Sequence, residues 1–584
     1  MSIEQKRGET FMDYMKVYNE WLNNDYFDNA TREELRSIED NPKEIEDRFY
    51  KNLEFGTAGL RGKIAAGTNR MNKYIIAKVT QGLAKFIIKQ GKEAMDRGVA
   101  IAYDCRHYSD VFAKTTALVL AANGIKAYLF EDLRPTPELS YTVRKLNTIS
   151  GIVVTASHNP KDYNGYKVYW EDGAQILDKI AIPITEEINN IKDFKEIKFI
   201  SEEEALEKGF LNIIGKEIDD EYIDKVKSLS IRDDIDKNIK IVYTPLNGTG
   251  NIPVRRVLKE RGFTNVVVVP EQENPDPDFT TVGYPNPEDI KAFEYAKRLG
   301  EKEGADLLLA TDPDCDRLAV MARNKEGEFT ALNGNQTGAV LIKYLVESKV
   351  EKGTLPEKPM IIKSVVTGDM GKVIGEKYGV TTFESLTGFK NICGKEMEMN
   401  KKGYNFIFGY EESIGYTAGD FVKDKDAVIA AMFLCEAAAY YKTQGKTLID
   451  VLNEIYKEFG YYREKLISLI LEGVEGQKRI GRMMDVYRKE FPKVIGDVKL
   501  VKYIDINEGK EINLISGEEK PIEFPKSNVL KFILEDGSWY AVRPSGTEPK
   551  IKIYLYSKGS TLKDSENKLK IMEKTIMEKL NSVE

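Results

Sequence analysis

Five short apolar runs recur along the chain, at 99–103, 151–155, 239–243, 305–310 and 405–408, and each ends in a polar loop marked by Gly, Pro or carboxylates. Runs that are apolar without alternation are buried on both faces, as in a sheet covered by helices on either side. Amphipathic, helix-like stretches such as 78–96 and 427–443 lie between them. This alternation calls for α/β layers built in succession. At 584 residues the chain exceeds what one core supports, so three or four domains are expected. Polar stretches of weak periodicity at 202–221, 323–335 and 457–464 mark candidate boundaries. The last segment differs. Strand-like runs at 529–534, 539–542 and 551–556 precede a closing helix from Thr561, which reads as a smaller α+β domain.

Composition narrows the function. The net charge of −8 comes from 86 basic and 94 acidic residues, well mixed. Such a surface has no general attraction for nucleic acid or anionic membrane, so an anionic ligand must be held by a local cluster. Cys105, Cys315, Cys393 and Cys435 are far apart and form no CxxC pair, which suits reduced thiols. The polar start MSIEQKRGET lacks the apolar core of a signal peptide, and the longest apolar stretch, 427–435, is too short to span a bilayer. A cytoplasmic protein with neither nucleic-acid nor membrane partner is expected.

Four loops carry possible chemistry. After the run ADLLLAT comes DPDCDR, with Asp312, Asp314 and Asp316 at alternate positions. In an extended segment alternate side chains share a side, so three carboxylates converge, and a divalent cation would relieve their repulsion. Oxygen-only ligands favour magnesium or manganese over zinc. An EF-hand is excluded, because Arg317 stands where that loop needs Gly and Arg323 where it needs Glu. A solvated acidic turn is the plain alternative, weakened by the buried run before the triplet and the arginine directly after it.

TASHNP follows the run GIVV, so its Ser157 lies at the carboxyl end of a strand, where α/β proteins bind ligands. A serine hydrolase would want GxSxG, which is absent, and the chain has only two histidines, His107 and His158. A simple turn and a phosphoryl-accepting serine both remain open on these residues alone. RPSGTEPK places Arg543, Ser545, Gly546 and Thr547 around one turn, a guanidinium fork with hydroxyls and an exposed N–H suited to phosphate. A hairpin turn accounts for Pro544 and Gly546 but not for Arg543. Gly445-Lys446-Thr447 imitates the end of a nucleotide-phosphate loop, yet Tyr440 stands where that motif needs Gly. GYEESIG, after NFIF, offers carboxylates and a serine to vicinal hydroxyls, a weaker signal for which a solvated turn is the default.

In this order and at these wide spacings, TASHNP, DPDCDR, GYEESIG and RPSGTEPK resemble the α-D-phosphohexomutase family, in its bacterial phosphoglucomutase branch. FGTAGLRG near the start and TPLNGTG in the second segment extend the likeness over nearly the whole chain. The resemblance implies four domains around a central cleft, the first three of related α/β, mixed-sheet topology and the last a smaller α+β domain. The expected divisions are 1–211, 212–328, 329–458 and 459–584, each giving one loop. It implies an isomerase that passes a phosphoryl group through phosphorylated Ser157, with Asp312, Asp314 and Asp316 holding Mg2+ together with that phosphate. Arg317 would contact the phosphoserine and Arg61 would stabilise charge. Glu411 and Ser413 would grip sugar hydroxyls, and Arg543, Ser545, Gly546 and Thr547 the non-reacting phosphate. For the acid/base, Lys390 and His158 stand ahead of Lys167. TPLNGTG carries Asn247 where relatives often have His, a departure expected to leave the chemistry untouched because it lies outside the four loops.

The implied reaction interconverts glucose 1-phosphate and glucose 6-phosphate, with glucose 1,6-bisphosphate as intermediate and activator and sugar phosphates as the only partners. The EES form of the sugar loop accompanies glucose preference in this family, so mannose and ribose phosphates are the rival substrates. A metal-dependent sugar phosphatase and a non-catalytic sugar-phosphate sensor are rivals of other classes. The reaction needs water excluded, so a mobile final domain is expected. A monomer or weak homodimer is expected.

Overall fold

A computed structural model describes residues 13–56, 59–471, 473–545 and 550–583. The chain divides into two compact units, residues 1–333 with 413–443, and residues 334–412 with 444–584.

The first unit holds two sheets. One has six strands in the order Gly59–Lys63, Tyr163–Trp170, Ser150–Val154, Val99–Tyr103, Ala127–Phe130, Leu211–Ile214. Val99–Tyr103 pairs in parallel with Ala127–Phe130 and Ser150–Val154, while Tyr163–Trp170 runs antiparallel to both its neighbours. The residues of Val99–Tyr103 and Ser150–Val154 are almost all buried, as their unbroken apolar runs require. Leu211–Ile214 pairs with Ala127–Phe130, so this sheet continues past residue 211. The helical stretch expected at 78–96 is two helices, Lys73–Lys89 and Lys92–Arg97, broken at Gly91 with φ 102. Asn72 caps the first by accepting the Ile75 N–H.

The second sheet runs Phe329–Leu332, Leu318–Arg323, Leu307–Thr311, Ile241–Thr244, Val266–Val268, with the last three strands parallel. Helix Ala427–Thr443 packs beside helix Asn251–Glu260 of this layer. Its first eleven residues are all buried, and such a helix must be covered on every side.

In the second unit, Pro359–Ser364 lies parallel to both Thr381–Ser385 and Asn405–Glu411. The last sheet is antiparallel, in the order Tyr461–Ile470, Lys550–Gly559, Trp539–Pro544, Leu530–Leu534, Val498–Asp505, Lys510–Asn513, Glu519–Pro521. Helix Leu562–Asn581, capped by Thr561, packs on it. The strand Tyr461–Ile470 pairs over its whole length with Lys550–Gly559, although its first residues read as a boundary. An edge strand needs apolar residues on one face only, so its run is interrupted by charge. A buried ionic seam joins the two layers of this unit. Lys363 Nζ lies 2.8 Å from Glu384 and 3.1 Å from Asp369, Lys531 Nζ donates to Val365 O at 2.8 Å, and Trp539 Nε1 donates to Asp369 at 2.9 Å.

Candidate active site

Ser157 follows the strand Ser150–Val154 and sits at φ 52, a left-handed conformation that a non-glycine residue adopts only when its surroundings impose it. Its main-chain N–H donates to Thr155 Oγ1 at 2.8 Å, and Thr155 Oγ1 donates to Asp104 at 2.6 Å. The Ser157 hydroxyl donates to Asp312 Oδ2 at 2.8 Å and lies 3.2 Å from His158 Nδ1. Burial, then Arg317 and Arg61 beside it, holds the His158 imidazole well below its usual range, so it is neutral at neutral pH.

The DPDCDR loop follows the strand Leu307–Thr311 and turns at Cys315, φ 52. Asp312, Asp314 and Asp316 are buried, and one oxygen from each falls within 4.8 Å of the others. Burial and the neighbouring Asp314 and Asp316 push the Asp312 carboxyl well above the carboxylate range. Burial also acts to raise Asp314, but Lys167 outweighs it and holds that carboxyl far below the range. Lys167 Nζ donates to Asp314 Oδ2 at 2.7 Å and to Asp316 Oδ2 at 3.4 Å. Lys425 Nζ lies 3.1 Å from Asp316 Oδ2, and Thr136 Oγ1 donates to Asp314 Oδ2 at 2.8 Å. The Arg317 main-chain N–H donates to Asp312 Oδ1 at 3.0 Å, and its side chain donates to Ser413 O at 3.4 Å. Arg61 donates to Asn159 Oδ1 at 3.3 Å.

The donor set suits a hard divalent cation. All three groups supply oxygen, and the buried Asp314 Oδ1 and Asp316 Oδ1 accept no hydrogen bond. A carboxylate oxygen in that position is costly unless a cation takes it.

In the second unit, Glu411 ends the strand Asn405–Glu411 and accepts the Gly388 N–H at 2.6 Å. Gly388 caps helix Phe389–Lys401, which carries the partly buried Lys390 in its first turn. Glu412 accepts from Thr367 Oγ1 at 2.8 Å and Ser364 Oγ at 3.2 Å. Arg543 lies on Trp539–Pro544 next to the Tyr554 hydroxyl, and the Ser545 N–H donates to Lys550 O at 2.8 Å. Gly546 and Thr547 lie outside the described residues.

The structure thus brings Ser157, His158, Arg317 and the three aspartates together. Lys167, placed last among the acid/base candidates, touches this cluster, as does Lys425. Sequence reasoning missed Arg106, Thr136 and Lys425. Arg106 had a weak signal, since DCR follows the strand Val99–Tyr103 at its carboxyl end; the other two had none. TPLNGTG lies outside the four loops but packs against one of them. Its Thr249 N–H donates to Pro313 O at 2.8 Å, and a Cβ on Gly248 would fall 2.4 Å from Pro313 Cα, so this loop is the support under DPDCDR.

The chain matches the family models for phosphoglucomutase/phosphomannomutase α/β/α domains I, II and III over residues 52–195, 220–327 and 333–459, and the C-terminal domain over 488–564. It belongs to the phosphoglucomutase/phosphomannomutase family. The phosphoglucomutase of Staphylococcus haemolyticus is 39% identical over 511 residues, 87% of this chain and 91% of that protein. That of Staphylococcus epidermidis is 37% identical over 545 residues, 93% and 95% of the two. The open form of Paramecium pp63/parafusin shares the fold, with a TM-score of 0.68 at 17% identity over 91% of this chain and 96% of that one. A Burkholderia thailandensis member of the family does so with a TM-score of 0.63 at 18% identity, over 91% and 98%. Among the described residues no helix is long and apolar enough to cross a membrane.

Proposed function

We propose that this protein is an isomerase that interconverts α-D-glucose 1-phosphate and glucose 6-phosphate, carrying the phosphoryl group on Ser157. The observation that carries the reading is the Ser157 hydroxyl, 2.8 Å from one of three buried carboxylates, of which Asp314 and Asp316 each retain an oxygen free of hydrogen bonds. Asp312, Asp314 and Asp316 would hold Mg2+ with the phosphate of phosphoserine. Magnesium bound there neutralises charge on the transferring group, the main source of rate in phosphoryl transfer.

In the forward half, the bond from phosphorus to Ser157 Oγ breaks, a bond to the sugar 6-oxygen forms, and the 6-hydroxyl proton leaves. His158 or Lys390 takes that proton, and the serine oxygen regains one, while Lys167, an ammonium engaged with Asp314 and Asp316, adds fixed charge. Arg317 and Arg61 supply fixed positive charge beside the group in flight. Glucose 1,6-bisphosphate then returns its other phosphoryl to Ser157, and free bisphosphate serves as activator by charging the serine. Glu411 and Ser413 hold sugar hydroxyls that glucose and mannose share. Arg543, Ser545, Gly546 and Thr547 hold the phosphate that does not react. Four buried cysteines with no disulfide among the described residues fit a reducing compartment, the cytoplasm.

The test is a coupled assay with glucose, mannose and ribose 1-phosphates side by side, with magnesium and a trace of bisphosphate. Glucose 1-phosphate should be preferred and mannose 1-phosphate turned over poorly, because a difference at one hydroxyl contributes about 1–3 kcal/mol. Preference for mannose or ribose overturns the glucose assignment, and release of inorganic phosphate in place of isomer overturns the mutase.

A further inference from the structure

We infer that Arg106 is a positioning residue for Ser157, and that residues 276–284 of the neighbouring domain clamp it there. The inference rests on the reading of Ser157 as the phosphoryl carrier. Arg106 follows the strand Val99–Tyr103, and its side chain is fully buried. Its guanidinium donates to four main-chain carbonyls of one short loop. Nη2 reaches Ser157 O and Asn159 O, both at 2.5 Å, and Nη1 reaches Pro160 O at 2.8 Å and Tyr163 O at 3.2 Å. Nε lies 3.3 Å from Asp104 Oδ2, the same carboxylate that receives the Thr155 hydroxyl.

These contacts close a ring around the serine. The Ser157 N–H is fixed through Thr155 to Asp104, its carbonyl is fixed by Arg106, and Asp104 and Arg106 are paired. A left-handed non-glycine residue costs of order 1 kcal/mol or more and persists only where its neighbours over-determine it. The ring does this, and it sets the direction in which Oγ meets Asp312.

The outer side of the guanidinium is closed from the neighbouring domain. The fully buried Phe279 ring lies 5.0 Å from the Arg106 carbon centre. Asp278 receives Lys161 Nζ at 3.0 Å, from the serine loop itself, and lies 3.3 Å from His107 Nε2. The Tyr284 ring meets the His158 ring edge-on at 6.2 Å. An interior arginine could serve stability alone, but that role does not require all four carbonyls to come from the nucleophile's loop.

The experiment compares wild type, Arg106→Lys and Phe279→Leu. Lysine keeps the charge beside Asp104 and loses the planar fork; leucine keeps apolar volume and loses the ring. Misplacing a reacting atom by about 1 Å costs on the order of a hundredfold in rate. Arg106→Lys should therefore lose about 30- to 100-fold in kcat, with KM for glucose 1-phosphate within about threefold. Phosphoenzyme charged with glucose 1,6-bisphosphate should lose a larger share of its phosphate to water than to glucose 1-phosphate. Phe279→Leu should shift both in the same direction by less. A folded Arg106→Lys enzyme with kcat within twofold of wild type overturns the inference. So does a fall in kcat that follows loss of folded protein while the division between water and sugar stays unchanged. If wild type neither carries phosphate on Ser157 nor isomerises glucose 1-phosphate, the functional reading is what fails. The clamp is then read by hydrogen exchange over residues 155–163, which Arg106→Lys must accelerate, and unchanged exchange refutes it.

Discussion

Replacing Gly248 by alanine tests whether TPLNGTG holds the aspartate loop in place. The added Cβ would sit 2.4 Å from Pro313 Cα, 2.6 Å from its oxygen and 2.8 Å from its carbonyl carbon. Ordinary contact begins near 3.4 Å, so the overlap is roughly 0.6–1 Å. Every atom met is main chain and cannot rotate aside. The supporting loop cannot retreat easily either. Its Asn247 N–H and side-chain amide donate to Gln272 O at 2.9 Å and Asn274 O at 2.7 Å, and Leu246 and Asn247 are held at φ 46 and 61. Pro313 lies between Asp312 and Asp314, so both carboxylates move with it. Overpacking of this kind costs about 1–3 kcal/mol, and a displacement near 1 Å at a reacting centre costs about a hundredfold in rate. The variant should melt a few degrees lower, need about tenfold more magnesium for half-maximal activity and lose about 10- to 100-fold in kcat, with KM little changed. Magnesium titration in the coupled assay, beside thermal melting, reads all of these. A melting loss with wild-type kcat and magnesium requirement would show that the loop is packing only, and would refute the reasoning.

Ser157→Ala should remove both isomerisation and the phosphoryl group otherwise found on the TASHNP peptide by intact mass and peptide mapping, leaving the melting temperature near that of wild type. Arg543→Ala should raise KM for glucose 1-phosphate by about ten- to a hundredfold, the 1.5–3 kcal/mol of a lost charge-assisted contact, while Ser157 still accepts phosphate from the bisphosphate; an unchanged KM would make RPSGTEPK a structural turn. Burial, reinforced by the Asp219 carboxylate beside it, raises the Glu138 carboxyl well above its usual range. A carboxyl raised on folding binds its proton more tightly in the native state, so stability falls as pH climbs from the unfolded value near 4.3 toward the folded one, by up to about 1.4 kcal/mol per pH unit. Glu138→Gln, which can still donate to Asp219, should melt close to wild type at pH 5 and above it at pH 8; a difference independent of pH would refute the assignment.

The layers were legible where a strand is buried on both faces. The runs at 99–103, 151–155, 239–243 and 305–310 carry their environment in their own residues, and each is a strand within two residues of that reading at either end. Legibility failed where burial is one-sided or supplied from far along the chain. Tyr461–Ile470 is an edge strand, so charge interrupts its apolar face and its first half read as a boundary. Helix Ala427–Thr443 was legible as a helix but read as amphipathic; its burial on every side is supplied by neighbours far along the chain. It grouped by sequence with 329–458, yet it packs in the first unit.

The same distinction runs through the site. Asp312, Asp314 and Asp316 were readable because the three carboxylates lie within five residues, and their spacing alone makes them converge. Thr136, Lys425 and Arg106 each make one polar side chain's worth of signal. Arg106 acts on carbonyls 51 to 57 positions away, Lys425 on Asp316, and Thr136 on an oxygen 178 positions away. No local period records such contacts. What a sequence does record is the demand they answer: a serine after a buried strand, forced into a left-handed turn, needs its N–H and carbonyl fixed from outside the turn. DCR at the carboxyl end of the adjacent parallel strand Val99–Tyr103 offers a carboxylate and a guanidinium one strand away from that serine. Adjacent parallel strands end side by side, so their trailing loops are the ones best placed to support each other. By the same argument the loop after Ile241–Thr244 supports the one after its neighbour Leu307–Thr311, where Thr249 and Gly248 meet Pro313.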